Sequence, residues 1–240
     1  MTKLLGGGKK GNAKMMKTGL KWGVPVYTFS IPAFKSADGF KTCPMAGKCA
    51  KPCYARVGRY VMPVIKNAQE YRLSVSRSPD FEGAMGAEIY QKLHLKPRVL
   101  QGQYRGAIRI HDSIRIHDSG DFYDTGYFFK WLNIANRHPD VLFYCYTKRV
   151  ILFQRYETYN GFPDNFKYIF SYGGLEDIQI DAKVNRHAKV FQNANQARRA
   201  GYVDCSHDDL KAVFSKNKRV GLIYHGIARY KMKNRPTLGV

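Results

Sequence analysis

Apolar and polar positions along this chain repeat with two different periods, and the switches between them mark out its elements. In VPVYTFSIPA (24–33), Val24, Val26, Thr28 and Ser30 alternate with Tyr27, Phe29 and Ile31, the period of two that a buried strand shows. VLFYCYT (141–147) and KYIFSY (167–172) are short apolar runs of the same kind, and further strands are expected up to Ser119, near 189–191 and over RVGLIYH (219–225). Helical spacing is expected over 54–76, 80–95, 123–137 and about 148–156, with shorter stretches near 194–200 and 208–214. Ser78-Pro79-Asp80 is a helix start with Ser as N-cap and Pro in the first position, and Pro139 ends the helix before it. A loop rich in Gly, Pro and Cys separates the first strand from the first helix, while the Gly- and Lys-rich residues 1–23 read as a flexible basic arm.

Strands that alternate with helices imply a parallel sheet covered by helices. Six strands are too few for a full eight-stranded barrel but sufficient for an open (βα)6 partial TIM barrel. The expectation is therefore an α/β chain with one barrel-like domain over 24–240, whose chemistry collects at the C-terminal ends of the strands. One irregularity interrupts the pattern: IRIHDS occurs twice in tandem, as Ile108–Ser113 and Ile114–Ser119. Twelve residues in one strand would span roughly 40 Å, well beyond the usual five or six residues. One copy must lie outside the strand, and the second is assigned to it because it runs directly into Gly120-Asp121-Phe122.

Composition narrows the class. With 240 residues, 44% of them hydrophobic, the chain is not disordered, and no apolar run approaches a membrane span. The N-terminus lacks the apolar core of a secretory signal, so a cytoplasmic protein is expected. Charge is extreme: 40 Lys and Arg against 18 Asp and Glu give +22. Residues 1–60 hold twelve basic residues and one acid, Asp38, and no acid follows Asp209. Such a field attracts polyanions, so nucleic acid is the expected partner through the basic arm and tail, with the seventeen Tyr suited to stacking on bases. The competing reading is a soluble basic protein whose affinity for nucleic acid serves no function.

Three of the five cysteines crowd into TCPMAGKCAKPCYA, as Cys43, Cys49 and Cys53. An odd, clustered set argues for metal or redox work rather than a disulfide framework. Three thiolates on one Gly/Pro loop suit a soft metal centre. A structural zinc site needs a fourth ligand, for which Cys205 or a histidine would serve. A [4Fe–4S] cluster also takes four, but three cysteines suffice when one iron is left open. Three unrelated buried thiols are the third possibility.

A cysteine triple ending in Cys-Tyr after the first strand of such a barrel resembles the radical S-adenosylmethionine enzymes, although the spacing here is C-x5-C-x3-C and the aromatic, Tyr54, follows the last cysteine. As a set, TFSIPA…CPMAGKCAKPCYA, RIHDSGDFYD, FYCYTK and GLIYHG look like the phage gene product 88 family. The first resemblance implies a [4Fe–4S] cluster on Cys43, Cys49 and Cys53, with S-adenosylmethionine at the open iron. Ser119, Gly120 and Asp121 would meet its ammonium, and Tyr54 and Thr147 would line the cofactor. His117 and His225, at strand ends, are the candidates for catalysis and proton transfer. A metal-dependent nuclease built on His117, Asp118, Asp121 and Asp124 is a rival, as is a noncatalytic nucleic-acid-binding protein with a structural cluster or zinc. Asp121 or Asp124 acting only as a helix cap is the plainest alternative.

Overall fold

Five successive parallel strands of this protein lie side by side in chain order, and the helices that connect the first four of them return over one face of the sheet. The computed structural model describes residues 3–7, 13–50, 53, 62–95, 104–111 and 120–224. Its strands are β1 (Gly6–Gly7), β2 (Val26–Phe29), β3 (Gly106–Ile110), β4 (Val141–Thr147), β5 (Phe166–Ser171), β6 (His187–Phe191), β7 (Val203–Asp204) and β8 (Arg219–Ile223). Its α-helices are α1 (Ala13–Trp22), α2 (Pro63–Arg77), α3 (Phe81–Ile89), α4 (Thr125–Arg137), α5 (Val150–Tyr159), α6 (Ala194–Arg199) and α7 (Asp209–Phe214). The eight strands form one sheet in the order β1-β2-β3-β4-β5-β6-β8-β7, parallel throughout except for β1 against β2. The sheet is not closed. The expectation of six strands is thus corrected to eight: the two-residue β1 and β7 are too short to carry an alternating pattern.

Period-two alternation divides the core between two faces. Along β4, Val141, Phe143 and Cys145 point into one cluster with Tyr27, Phe29, Ile108, Ile110, Phe166 and Phe170, covered by Leu73, Phe81, Phe128, Trp131 and Phe153 of α2 to α5. Leu142, Tyr144 and Tyr146 point the other way, with Val26, Ala107, Ile169, Val190 and Leu222, under Met15 of α1 and Leu210 and Val213 of α7. Because right-handed crossovers keep α2 to α5 on a single face, the strand order advances in one direction, as in a barrel wall.

The segment expected to be a flexible arm is in part folded onto this body. Leu4 and Leu5 are buried, and their N–H groups donate to the Glu88 carboxylate at 2.7 and 3.1 Å. On α1, the Lys14 ammonium pairs with Asp209 and the Trp22 indole N–H donates to Asp208 at 2.9 Å. Asp209 also receives the Arg109 guanidinium from β3 and the Tyr144 hydroxyl from β4 at 3.3 Å. An arm rich in Lys and Gly orders here because two aspartates of α7 and its cap are waiting for its cations.

The tandem repeat is resolved against the sequence expectation. It is the first copy, Ile108 to Ile110, that forms β3, and the second (114–119) lies outside the described residues. The reason lies at the entry to the strand. A Cβ at Gly106 would sit 2.7 Å from Leu93 Cδ2 and 3.2 Å from the Pro25 carbonyl oxygen. Placing the second copy in the strand would bring Asp112 to that position, where a carboxylate has no room, and Ser113 to the buried position of Ala107.

Candidate metal and cofactor site

The C-terminal ends of β2, β3, β4 and β5 meet around the cysteine loop, which is stapled to two of its neighbours by its own backbone. The Asp121 N–H, just beyond β3, donates to the Thr42 carbonyl at 2.9 Å. From the other side, the Gly47 and Cys49 N–H groups donate to the Gly173 carbonyl at 3.2 and 3.0 Å, and Leu175 N–H donates to Met45 at 2.9 Å. Gly173 has φ +104°, and a Cβ there would press to 3.1 Å from Cys49 Cβ, so the turn after β5 needs glycine to receive the loop. The Asp177 carboxylate holds that turn by accepting from Gly173 N–H at 2.7 Å and Gly174 N–H at 2.8 Å.

Cys43, Cys49, Cys53, Gly120, Asp121 and Lys148 all line one pocket at this rim. The structure therefore brings five of the sequence-nominated residues together, and adds Lys148. Burial pushes the Cys43 thiol well above its usual range, assisted by the negative charges of Asp121 and Cys53. A bound cation would reverse that balance, since a coordinating thiol is deprotonated by its metal. Its sulfur already accepts the Phe34 N–H at 3.3 Å. Among the described residues, no three His, Cys, Asp or Glu side chains are gathered so as to hold a single metal ion.

Asp121 is buried, and desolvation holds its carboxyl above the usual range despite the opposing hydrogen bonds from Lys148 N–H and Thr147 and the Lys148 charge. It accepts from Phe122 N–H and the Thr147 hydroxyl on Oδ1, both at 2.8 Å, and from Lys148 N–H on Oδ2 at 2.9 Å. Its carboxylate thus ties the end of β3 to the end of β4, and Thr147 serves that tie. Lys148 Nζ donates to Ser171 Oγ at 3.1 Å, so one lysine spans the ends of β4 and β5 beside the cysteines. Sequence reasoning passed over Lys148 as the start of a helix. The signal was available: a Lys-Arg pair directly after an apolar seven-residue strand stands at the rim, where polar groups have work to do.

The remaining nominations are placed as follows. Tyr54, His117, Asp118, Ser119 and His225 lie outside the described residues. Asp124 caps α4 through Tyr127 N–H at 2.7 Å, the helix-cap role anticipated for it. Cys145 sits in the core under α5. Cys205 is buried on the opposite face of the sheet with Leu210 and Leu222, where burial pushes its thiol up to about 11, and it does not line the cysteine pocket. It stands apart from the three rim cysteines, because the sheet lies between it and the helices that flank the rim.

His111, the last described residue of the first IRIHDS copy, is fully buried with φ +60°, and neither ring nitrogen has a hydrogen-bond partner among the described residues. Phe122 and Tyr127 meet its ring edge-on at 4.8 and 5.6 Å. Burial lowers its pKa to about 3. Below about pH 6.5 the unfolded chain therefore binds a proton that the folded chain refuses. Stability should fall from pH 6.5 towards pH 3 by about 1.4 kcal/mol per pH unit for this group. Urea midpoints at pH 7, 6 and 5 should show that slope in the wild type and lose it in His111→Asn. An unchanged slope in the variant would assign the acid sensitivity elsewhere.

Among known proteins, the family model described as Gene product 88 matches residues 4–234. No curated protein and no solved structure matches the chain.

Proposed function

The chain belongs to the gene product 88 family of phage proteins, and we propose that its rim cysteines hold an iron–sulfur cluster. The observation that carries this reading is the pocket shared by Cys43, Cys49 and Cys53. A single zinc ion binds thiolates at about 2.3 Å in a tetrahedron, which draws the sulfurs to within ~4 Å of one another around one point. A cluster meets each thiolate at a different iron and keeps them further apart. Three thiols line the common pocket and Cys205 does not, and three thiolates suffice for a cluster with one iron left open whereas a structural zinc needs a fourth ligand.

The chain's own residues supply the rest. The loop is held to Gly173 and to Asp121, which fixes Cys49 directly and Thr42 beside Cys43 on the rim. With three cysteines, one iron stays open to a small ligand, and the radical S-adenosylmethionine enzymes provide the precedent: an open partial barrel, with cofactor at the C-terminal rim. Such a cluster, once reduced, would supply an electron for cleaving S-adenosylmethionine. Lys148 places a cation in the pocket for the carboxylate of that ligand. Asp121 keeps one lone pair on Oδ2 for its ammonium after its three internal hydrogen bonds. The net charge of +22 makes a nucleic acid or nucleotide the proposed substrate. The nuclease reading is not carried further, because Asp124 is spent on its helix cap.

Protein purified without oxygen should be brown and contain iron and sulfide in near-equal amounts. Cys49→Ser or Cys53→Ser should lose most of that iron while Cys205→Ser keeps it. Stoichiometric zinc without sulfide in protein never exposed to air would overturn the proposal. Release of 5′-deoxyadenosine from S-adenosylmethionine by the reduced protein would establish the enzymatic form; an intact cluster that never releases it would make the cluster structural.

A further inference from the structure

Helices α2 to α5 cover the sheet as far as β5, and α6 with the Tyr202 that follows it covers β6 and β8 at Phe191, Gly221 and Ile223. Between those covers stand Tyr172, His187, Lys189 and Arg219. His187 is buried, with Nδ1 2.8 Å from the Asn185 carbonyl and Nε2 2.9 Å from the Tyr202 hydroxyl. Tyr172 and Tyr202 each meet its ring at 5.5 Å, at interplanar angles of 88° and 75°. Both tyrosines are therefore held upright and half-exposed on the sheet. Lys189 Nζ lies 4.6 Å over the Tyr172 ring and 6.0 Å from that of Tyr202. Neither Lys189 nor the exposed Arg219 makes an ion pair among the described residues. The nearby acid, Asp177, has both oxygens on the Gly173 and Gly174 amides.

We infer that this face seats a single-stranded segment of nucleic acid, with a base stacked on Tyr172 and the phosphates held by Lys189 and Arg219. Cations without carboxylate partners beside fixed aromatic faces are the chemistry that a base and its phosphate match. A duplex keeps its bases stacked on one another and offers no such face, so the occupant is single-stranded. Tyr172 immediately precedes Gly173, whose carbonyl holds Cys49, so a strand lying here leads to the cysteine pocket. The inference rests on nucleic acid being the partner and not on the cluster.

Anisotropy of a labelled oligothymidine, titrated at several salt concentrations, tests it. The Lys189→Gln, Arg219→Gln double variant should flatten the slope of log K against log salt by about 1.4, or ~0.7 for each single-strand phosphate that is no longer neutralised. Tyr172→Leu should weaken binding about tenfold at an unchanged slope, in the lower part of the range for one stacked base. Unlabelled duplex should compete less well than unlabelled single strand. The exposed pair Lys66→Gln, Arg155→Gln, on the helical layer, should change neither quantity. If that pair acts as strongly as the first, the attraction is diffuse and the seat is overturned. If the wild type binds no oligonucleotide at all, the nucleic-acid reading itself fails, whatever the cysteines hold.

Discussion

Asp209→Ala should destabilise the protein by about 3–5 kcal/mol, the range for removing one partner of a buried ion pair. The carboxylate is fully buried between the Arg109 guanidinium and the Lys14 ammonium, with the Tyr144 hydroxyl as a third donor. Without it, one cation on β3 and another on α1 are left facing each other out of water. Set against a total of ~5–15 kcal/mol for a folded domain, that is a large fraction. The midpoint of urea unfolding should drop steeply. A drop equivalent to less than about 1 kcal/mol would mean that both cations reach solvent in the variant. The same group makes an acid limb of its own. Burial alone would raise its pKa, but Arg109 and Lys14 outweigh burial and hold it below the usual range. Its contribution is complete above about pH 4 and is lost as pH falls through the lowered value, a window more acidic than the one in which His111 begins to act.

Gly120→Ala should be nearly as damaging and should also cost the protein its iron. Gly120 has φ +83°, and a Cβ there would fall 2.2 Å from Ile31 Cγ1 and 2.9 Å from its Cδ1. The left-handed backbone costs an alanine about 1–2 kcal/mol, and forcing a methyl against a fully buried isoleucine adds about 1–3 kcal/mol. The next residue donates the 2.9 Å hydrogen bond that ties β3 to Thr42, one position before Cys43. Displacing it should loosen the cysteine loop, and iron per chain should fall together with the melting temperature. Gly39→Ala is the control: φ is +85° there too, but nothing lies within 4 Å, so only the backbone cost of about 1–2 kcal/mol applies and iron should be retained. Full iron in a destabilised Gly120→Ala protein would separate the strand end from the metal site.

What the sequence made legible follows from the range over which each signal acts. VLFYCYT coincides with β4, and the cysteine loop and Gly120-Asp121 turn come to one rim as their places after successive strands imply. Those signals are local, or follow from strand order alone. The first twenty-three residues misled because their order comes from partners far along the chain, at Glu88, Asp208 and Asp209. The choice between the two IRIHDS copies was invisible for a related reason. The hexapeptides are identical, and the decision rests on Leu93 and Pro25 crowding Gly106. Likewise nothing in the sequence around Gly173 and Gly174 announces that the cysteine loop packs on them.

The ion pairing that fastens α1 to α7 also sets a schedule for synthesis. Lys14 and Arg109 leave the ribosome 195 and 100 residues ahead of Asp209, a lead of roughly 10–40 s and 5–20 s at ~5–20 residues per second. β8, later still, belongs between β6 and β7, so β7 has no partner and β6 has only β5 until β8 is made. Throughout that interval the nascent protein carries an unfinished sheet edge and two cations whose acceptor does not yet exist. The far end of the sheet therefore forms only after β8 has emerged, and a nascent-chain protease assay stalled before residue 209 should find α1 cleavable.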